Sequence, residues 1–233
     1  MYYEPWKNFT TVVLCKPGKP RYDTPKAYRP IALLNTLGKV LTSIVAEQLT
    51  YYTEKYALLP PLHFGGRPAH TTSDALHYVT HKIKDSWRKK QVTSVLFLDI
   101  KGALPNVVNE KLIANMRERK VPTKIVRFVE NMLQDRTTKI RFDDHESSKI
   151  KLDNGIGQGD PLSMALYQYY NADILDVPRA PNEDAAAYVD DAILLAMAKT
   201  FEETHKILEA MMTRMGGQWN GQTSITPNSS LQN

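Results

Sequence analysis

The stretch that decides the fold reads Ala185-Ala186-Ala187-Tyr188-Val189-Asp190-Asp191-Ala192-Ile193-Leu194-Leu195. Two adjacent carboxylates lie within an otherwise apolar run, which is costly unless they are paired, hydrogen-bonded or bound to a cation. Apolar segments on both sides of a polar pair predict two short strands with the acids at the tip of a hairpin. The alternative is an Asp-Asp turn that only connects two strands. This stretch alone favours neither interpretation.

A second run, Val-Leu-Phe-Leu-Asp-Ile at 95–100, is rich in β-branched and aromatic residues and has the length of a strand. It carries one acid, Asp99. An aspartate on a buried strand and an Asp-Asp hairpin elsewhere are the parts needed to hold two Mg²⁺ ions through oxygen ligands. Two such ions can activate an attacking hydroxyl and stabilise the leaving oxygen in phosphoryl transfer. The spacing leaves open whether the acids converge in space.

Motifs along nearly the whole chain, from about residue 11 to about residue 217, resemble those of reverse transcriptases, particularly the LINE-type (non-LTR) retrotransposon enzymes of the fungal kind. The motifs occur in the family's order. They are Lys-Pro-Gly-Lys at 16–19, Tyr-Arg-Pro-Ile-Ala-Leu-Leu at 28–34, Phe-Leu-Asp-Ile-Lys-Gly-Ala at 97–103, Asn-Gly-Ile-Gly-Gln-Gly-Asp-Pro-Leu-Ser at 154–163 and Tyr-Val-Asp-Asp at 188–191.

This resemblance implies a role for particular residues. Asp99 and Asp190 would ligate two Mg²⁺ ions, with Mn²⁺ as the alternative metal, and Asp191 would take part more weakly or indirectly. The implied nucleotide-binding residues are Arg29, then Lys16 or Lys19, together with Leu104 and Gln158. The implied template and primer contacts are Arg67, Gly157, Gly159 and Tyr188. For Arg67, an ordinary surface arginine is the alternative.

The residue types agree with several of these roles. Arg29 and the lysines near it belong to a predicted basic hairpin, and Arg offers bidentate hydrogen bonds to phosphate oxygens. Gly155, Gly157 and Gly159 leave little side-chain bulk in their loop, so a nucleic-acid strand could approach the backbone. A lone Gly-x-Gly-x-Gly is a weak signal.

The implied activity is RNA-templated DNA synthesis from deoxynucleoside triphosphates on a DNA primer. The alternative is a nucleic-acid-binding remnant of a degenerate retroelement that no longer catalyses. A third interpretation is an RNA-copying polymerase of the same palm type. It would be excluded if the protein does not incorporate nucleotides when only ribonucleotides are supplied.

The charge distribution agrees with a nucleic-acid partner. The 233 residues carry a formal net charge of +5, and through Lys90 the chain has 14 Lys and Arg against 6 Asp and Glu. A basic front half would attract phosphates; a solvated basic face is the alternative. One cysteine, Cys15, excludes an internal disulfide and suits an intracellular protein of the nucleus or cytoplasm. We expect no membrane span and no secretion; the oligomeric state is left open.

The predicted fold class is α+β, with the fingers and palm of a right-hand polymerase, an antiparallel palm sheet with packed helices, and no thumb. We expect fingers in 1–91 interleaved with a palm in 92–217, and a poorly ordered polar tail in 218–233. A helix over 36–53 is predicted to turn an apolar stripe to the core. Capping boxes predict helix starts at Thr71 and Thr200.

Two features depart from the family pattern. Relatives usually place Phe or Tyr five residues after the first aspartate, where the ring excludes a 2′-hydroxyl, and this chain has Leu104. The short polar tail also fits neither the primer-gripping hairpin nor the helical thumb that follow in reverse transcriptases. This suggests a fragment of an element's open reading frame.

Overall fold

A computed structural model describes residues 2–100 and 102–218 of the protein. Its helices are α1 (Thr36–Tyr56), α2 (Thr72–Arg88), α3 (Asn109–Glu118), α4 (Thr123–Leu133), α5 (Pro161–Asn171) and α6 (Phe201–Gln218). Its strands are β1 (Asn8–Cys15), β2 (Tyr28–Leu33), β3 (Val92–Asp99), β4 (Arg136–Phe142), β5 (His145–Glu146), β6 (Ile150–Leu152), β7 (Glu183–Tyr188) and β8 (Asp191–Ala198). The fold is therefore mixed α+β, as predicted.

The chain forms two compact units, each from two separate stretches. The first unit comprises Met1–Leu58 and Leu104–Leu166, and the second comprises Leu59–Ala103 and the described chain from Tyr167 onward. The division of the chain into fingers at 1–91 and palm at 92–217 stays a prediction.

The first unit is built on a mixed sheet. Strand β1 pairs antiparallel with β2 and parallel with β4, and β4 pairs antiparallel with β5 and β6. The basic hairpin β1–β2 follows from local patterns, and that prediction is confirmed. The parallel pairing of β1 with β4 joins segments that are distant in the chain, so no local pattern indicates it.

Helix α1 buries only part of the predicted face. Of the predicted apolar stripe, Leu37, Val40 and Ile44 are 67%, 53% and 48% exposed. The face that is buried carries Gly38, Thr42, Val45, Leu49 and Thr53. Small residues set this rotation, because a Cβ on Gly38 would lie only 3.1 Å from the Tyr2 hydroxyl. The predicted stripe also included Leu41, Val45 and Leu49, of which Val45 and Leu49 are buried. The prediction is therefore wrong for Leu37, Val40 and Ile44 and confirmed for Val45 and Leu49.

The second unit contains the antiparallel sheet β3-β8-β7. Because side chains alternate across a strand, one sheet face packs on α6 and the turn before β7. The buried residues of that core are Leu98, Ile174, Val177, Ala185, Ala187, Ala192, Leu194, Met211 and Met215. The predicted hairpin over 185–195 and the predicted strand ending at Asp99 are confirmed.

Local signals at the helix ends also hold. The Thr71 hydroxyl accepts from the Asp74 backbone N–H while the Asp74 carboxylate accepts from the Thr71 N–H, which is the predicted capping box. Thr200 and Glu203 form the same reciprocal pair before α6. Helix α6 continues to Gln218, and the rest of the predicted tail, 219–233, lies outside the described residues. None of the described helices is long and apolar enough to cross a membrane.

Candidate active site

Three acids meet at one end of the β3-β8-β7 sheet. Strand β3 ends at Asp99 and β8 begins at Asp191, and these two residues are direct partners in the antiparallel register. Side chains at such positions have Cβ atoms about 4.5–5.5 Å apart. Asp190 lies in the two-residue turn between Tyr188 and Asp191, which are themselves paired. The structure thus brings together the acids whose convergence the sequence left open.

The electrostatics of this end of the sheet favour a cation. Partial burial raises the pKa of the Asp191 carboxyl, and the negative charges of Asp190 and Asp99 raise that pKa further. Such mutual repulsion falls when a cation binds between the carboxylates. Carboxylate oxygens are also the donors that Mg²⁺ prefers, so the donor chemistry fits. In the part of the chain that the structure describes, no group of three or more His, Cys, Asp or Glu side chains is already arranged to hold a metal ion.

An open apolar cavity adjoins the acids on the outer face of the sheet. Its volume is about 510 Å³, and Asp99, Asp191 and Tyr188 lie at its edge among Phe97 and residues of α2. Phe97, two residues before Asp99 on the same face of β3, is 58% exposed. Further along the same face, Asp184 on β7 accepts a 2.6 Å hydrogen bond from the Tyr78 hydroxyl and pairs with Lys82 at 2.7 Å, which ties α2 to the sheet.

The turn that carries Asp190 has an unusual backbone. Val189 has a φ of 57°, in the left-handed region that β-branched residues rarely adopt. Its carbonyl oxygen accepts a 2.5 Å hydrogen bond from the Asn171 side-chain amide at the end of α5. The Asn171 side-chain oxygen in turn lies 2.8 Å from Nε2 of the buried His63. Sequence reasoning missed these contacts, although an Asn among apolar helical residues is a polar signal that asks for a buried partner.

The loop of His63 runs beside the hairpin as a short added strand. The Phe64 N–H donates to the Ala187 carbonyl at 2.8 Å, and the Ala187 N–H donates to the Leu62 carbonyl at 3.0 Å. Arg67 in this loop donates to the carbonyls of Pro60 and His63 at 3.1 and 3.3 Å. These bonds fix the loop, and a phosphate contact by Arg67 stays a prediction.

The predicted nucleotide-binding residues lie in the first unit, whereas the three acids lie in the second. Arg29 is an exposed residue of β2 opposite Leu14, and the Lys16 N–H just beyond β1 donates to the Ala27 carbonyl at 2.8 Å. Lys16 and Arg29 therefore lie at the same end of the β1–β2 hairpin. Lys19 lies in the connection between the two strands.

The glycine loop before α5 packs on the edge of β2. The Ala32 N–H donates to the Gln158 carbonyl at 2.8 Å. Gly159 has a φ of +117°, and a Cβ there would lie 2.9 Å from the Ala32 carbonyl oxygen. Gly159 is thus needed for the contact of this loop with β2, a reason that the sequence did not indicate. Contacts of Gly157, Gly159 and Gln158 with nucleic acid or nucleotide stay predictions.

Leu104 lies at the entrance of a turn and is half-buried. Its carbonyl oxygen accepts from the Ile156 N–H at 2.9 Å and from the Val107 N–H at 3.4 Å. The backbone at Leu104 is therefore fixed against the glycine loop within the first unit. The predicted role of its side chain at the sugar stays a prediction.

A buried arginine that the sequence did not single out fastens the start of the glycine loop. Arg136 is 6% exposed, and its guanidinium donates to the carbonyls of Gly155 at 2.6 Å and Leu133 at 3.1 Å. Burial lowers the pKa of Arg136 to about 10, and the Asp160 charge partly opposes this. The guanidinium therefore stays charged at neutral pH.

We expect Arg136→Met to lower the free energy of unfolding by about 2–3 kcal/mol, because the change removes the charged donor that satisfies two carbonyl groups. Urea unfolding measures the change. Arg141→Met, an exposed change on the same strand, is the control and should shift stability by less than about 0.5 kcal/mol. Equal losses in the two variants would contradict a special role for the Arg136 guanidinium.

The antiparallel sheet β3-β8-β7 with three acids at one end is the arrangement that the resemblance of the sequence motifs implies. Residues 15–222 match the family model described as reverse transcriptase (RNA-dependent DNA polymerase). The chain belongs to the reverse transcriptase family.

The similar proteins of known type are non-LTR retrotransposon polymerases. Over 95% of its length the chain is 28% identical to a probable RNA-directed DNA polymerase from transposon BS of Drosophila melanogaster, and over 84% it is 28% identical to that of the mobile element jockey from the same species. The chain spans about a quarter of the length of these relatives, 26% and 22% respectively. The predicted non-LTR affinity is confirmed, and the fungal kind stays a prediction.

Solved structures agree on the fold. The apo telomerase from Candida tropicalis truncated from its C-terminal domain aligns with a TM-score of 0.63 over 100% of this chain and 52% of that chain, at 11% identity. The telomerase from Candida albicans in complex with a fragment of telomeric RNA aligns with a TM-score of 0.59 over 100% of this chain and 45% of that chain. The fold is therefore similar to that of telomerase reverse transcriptase.

Proposed function

We propose that this chain is the catalytic region of an RNA-directed DNA polymerase and that Asp99, Asp190 and Asp191 hold its metal ions. The observation that carries the proposal is the register of β3 and β8, which sets Asp99 directly opposite Asp191 with Asp190 in the adjoining turn. In these terms the β3-β8-β7 sheet is the palm sheet and the β1–β2 hairpin belongs to the fingers.

The substrates of the proposed reaction are an RNA template, a DNA primer and deoxynucleoside triphosphates. The primer 3′-hydroxyl attacks the α-phosphate, a new phosphodiester bond forms, and pyrophosphate leaves. Two Mg²⁺ or Mn²⁺ ions, when bound, supply positive charge for the attacking and leaving oxygens. The acids of the chain hold and space those ions, and Arg29 with Lys16 or Lys19 offsets the charge of the triphosphate.

Primer extension tests this proposal directly. The chain is given an RNA template annealed to a DNA primer, all four dNTPs and Mg²⁺ or Mn²⁺. We expect incorporation that stops when EDTA removes the metal and that ribonucleotides alone do not support. A folded chain that binds template and primer but adds no nucleotide would favour the binding remnant instead. Incorporation of ribonucleotides alone would indicate an RNA-copying polymerase.

Arg29→Ala is expected to raise the KM for dNTP about 10- to 100-fold, because one charge-assisted contact to phosphate is worth about 1.5–3 kcal/mol. The Kd for template and primer should change little. Steady-state kinetics and fluorescence anisotropy measure the two quantities. Arg21→Ala is the control, since Arg21 lies in the connection that leads into β2 and is already paired with Asp23 at 2.8 Å. Equal losses of nucleotide and template binding would mean that Arg29 contacts the nucleic-acid backbone.

A further inference from the structure

The turn between β7 and β8 is held in a conformation that its own sequence disfavours. Two-residue hairpin turns that need a positive φ normally use Asn, Asp or Gly at that place, yet this turn has Val189 at 57°. A residue in such a sparsely populated region persists only where its surroundings fix it. Contacts from outside the hairpin must therefore hold this turn.

One contact comes from Asn171. Its side chain is fully buried, and its amide N–H donates to the Val189 carbonyl at 2.5 Å. Since that nitrogen is the donor, the side-chain oxygen accepts from His63 Nε2 at 2.8 Å, and this second bond sets which way the amide points. His63 is also fully buried. The Asn171 amide cannot rotate without breaking both of these buried hydrogen bonds, which is costly.

A second contact comes from Gly65 on the other side of the turn. A Cβ at Gly65 would lie 2.4 Å from the Val189 nitrogen and 2.5 Å from a Val189 side-chain methyl. The backbone of the loop thus closes directly on the turn, and any side chain at position 65 would displace it. The Gln168 side chain, one helical turn before Asn171, donates to the Gly65 carbonyl and keeps the loop in place.

We infer that Asn171 is a positioning residue for the catalytic turn. Its side chain is oriented by the buried His63 and binds the Val189 carbonyl, and this bond fixes the direction of the Asp190 carboxylate. This inference rests on the proposed function, because it gives Asp190 a metal to hold. Asn171 does not touch the substrate in this account. It acts through one peptide group, whose carbonyl is Val189 and whose nitrogen is Asp190.

The decisive variant is Asn171→Asp, which keeps the side-chain shape and the oxygen that accepts from His63 but removes the donor to Val189. We expect Mn²⁺ affinity to fall about tenfold, as is typical when a partner that orients a metal ligand is removed. An added negative charge alone would strengthen cation binding, so a loss of affinity reports on geometry. Electron paramagnetic resonance of free Mn²⁺ measures the Kd. Hydrogen exchange of the peptide covering 186–193 should also accelerate about tenfold.

Thr204→Val is the matched control. It removes the Thr204 hydroxyl, which hydrogen-bonds with the Ser94 hydroxyl of the same unit at 2.7 Å, and it changes no residue of the turn. We expect it to lower the Tm while leaving Mn²⁺ affinity and exchange at 186–193 unchanged. If Asn171→Asp and Thr204→Val differ in neither quantity, Asn171 has only a structural role and the inference is overturned.

Asn171→Ser tests the same contact should Asn171→Asp fail to fold. Serine lacks the amide that donates to the Val189 carbonyl, so Mn²⁺ affinity should fall and exchange at 186–193 should accelerate. Unchanged affinity and exchange in a folded Asn171→Ser protein would overturn the inference. Equal Mn²⁺ binding by the natural chain and by Asp190→Asn would instead refute the metal role of Asp190. The exchange measurement would then still decide whether Asn171 holds the turn.

Discussion

Asp190→Asn is expected to lower the rate of dNTP incorporation about 10³-fold, at the lower end of the effects seen when a charge-stabilising group of phosphoryl transfer is lost. Asn has nearly the shape of Asp and suits a turn, but it lacks the negative charge that a divalent cation needs. Asp190 is exposed, so the Tm should change little. Single-turnover incorporation and thermal unfolding measure the two quantities.

The chain contains its own control for this prediction. Asp143 and Asp144 also form a two-residue turn, between the paired residues Phe142 and His145 of β4 and β5, and Asp143 has a φ of 49°. Asp144→Asn repeats the change at the same turn position and should leave incorporation unaltered. A loss below about tenfold for Asp190→Asn, or an equal loss for Asp144→Asn, would contradict the proposed metal ligand.

Leu104→Phe is expected to raise the preference for dNTP over rNTP by about 10- to 200-fold, the range in which a pocket discriminates by shape against one small group. An aromatic ring presents a rigid face to the sugar, and a 2′-hydroxyl would collide with it. Leu lacks that flat extent and can change rotamer, which softens the collision. The measurement is single-nucleotide incorporation with dNTP and rNTP for both proteins, expressed as a ratio of kcat/KM values.

Leu37→Phe is the control for Leu104→Phe, because it adds the same ring at a residue of α1 that is 67% exposed. It should leave the ratio unchanged. A ratio that also stays unchanged on Leu104→Phe would show that residue 104 does not contact the sugar, and the natural leucine would then serve only the packing of its turn.

The parts of the fold that follow from local physics could be predicted from the sequence. The Asp-Asp hairpin, the strand ending at Asp99 and the reciprocal caps at Thr71 and Thr200 depend on residues close together in the chain. The buried face of α1 depends instead on where the helix has residues small enough for close packing, such as Gly38 beside the Tyr2 hydroxyl. Its apolar stripe at Leu37, Val40 and Ile44 gave the wrong side for that reason.

Within the candidate site, the sequence predicted the acids but not what supports them. The Asp-Asp pattern at 190–191 was ambiguous in itself, since a second Asp-Asp turn at 143–144 joins β4 to β5 in the same way. What separates them is Asp99, opposite Asp191 on a neighbouring strand. Asn171 and His63 were missed because the contact between them joins residues 108 positions apart, a separation that no local pattern encodes.

The alternation of β3 makes this gene region sensitive to length changes in a particular way. Inserting one residue at the start of β3 would turn Asp99 toward the side of Met211 and Leu194. It would also turn Leu96 and Leu98 of β3 away from that side. Inserting two residues would return each side chain to its own side. As copies of the element accumulate mutations, an insertion of an odd number of codons in this strand would therefore reverse the two faces of β3. An insertion of an even number would keep each side chain on its face.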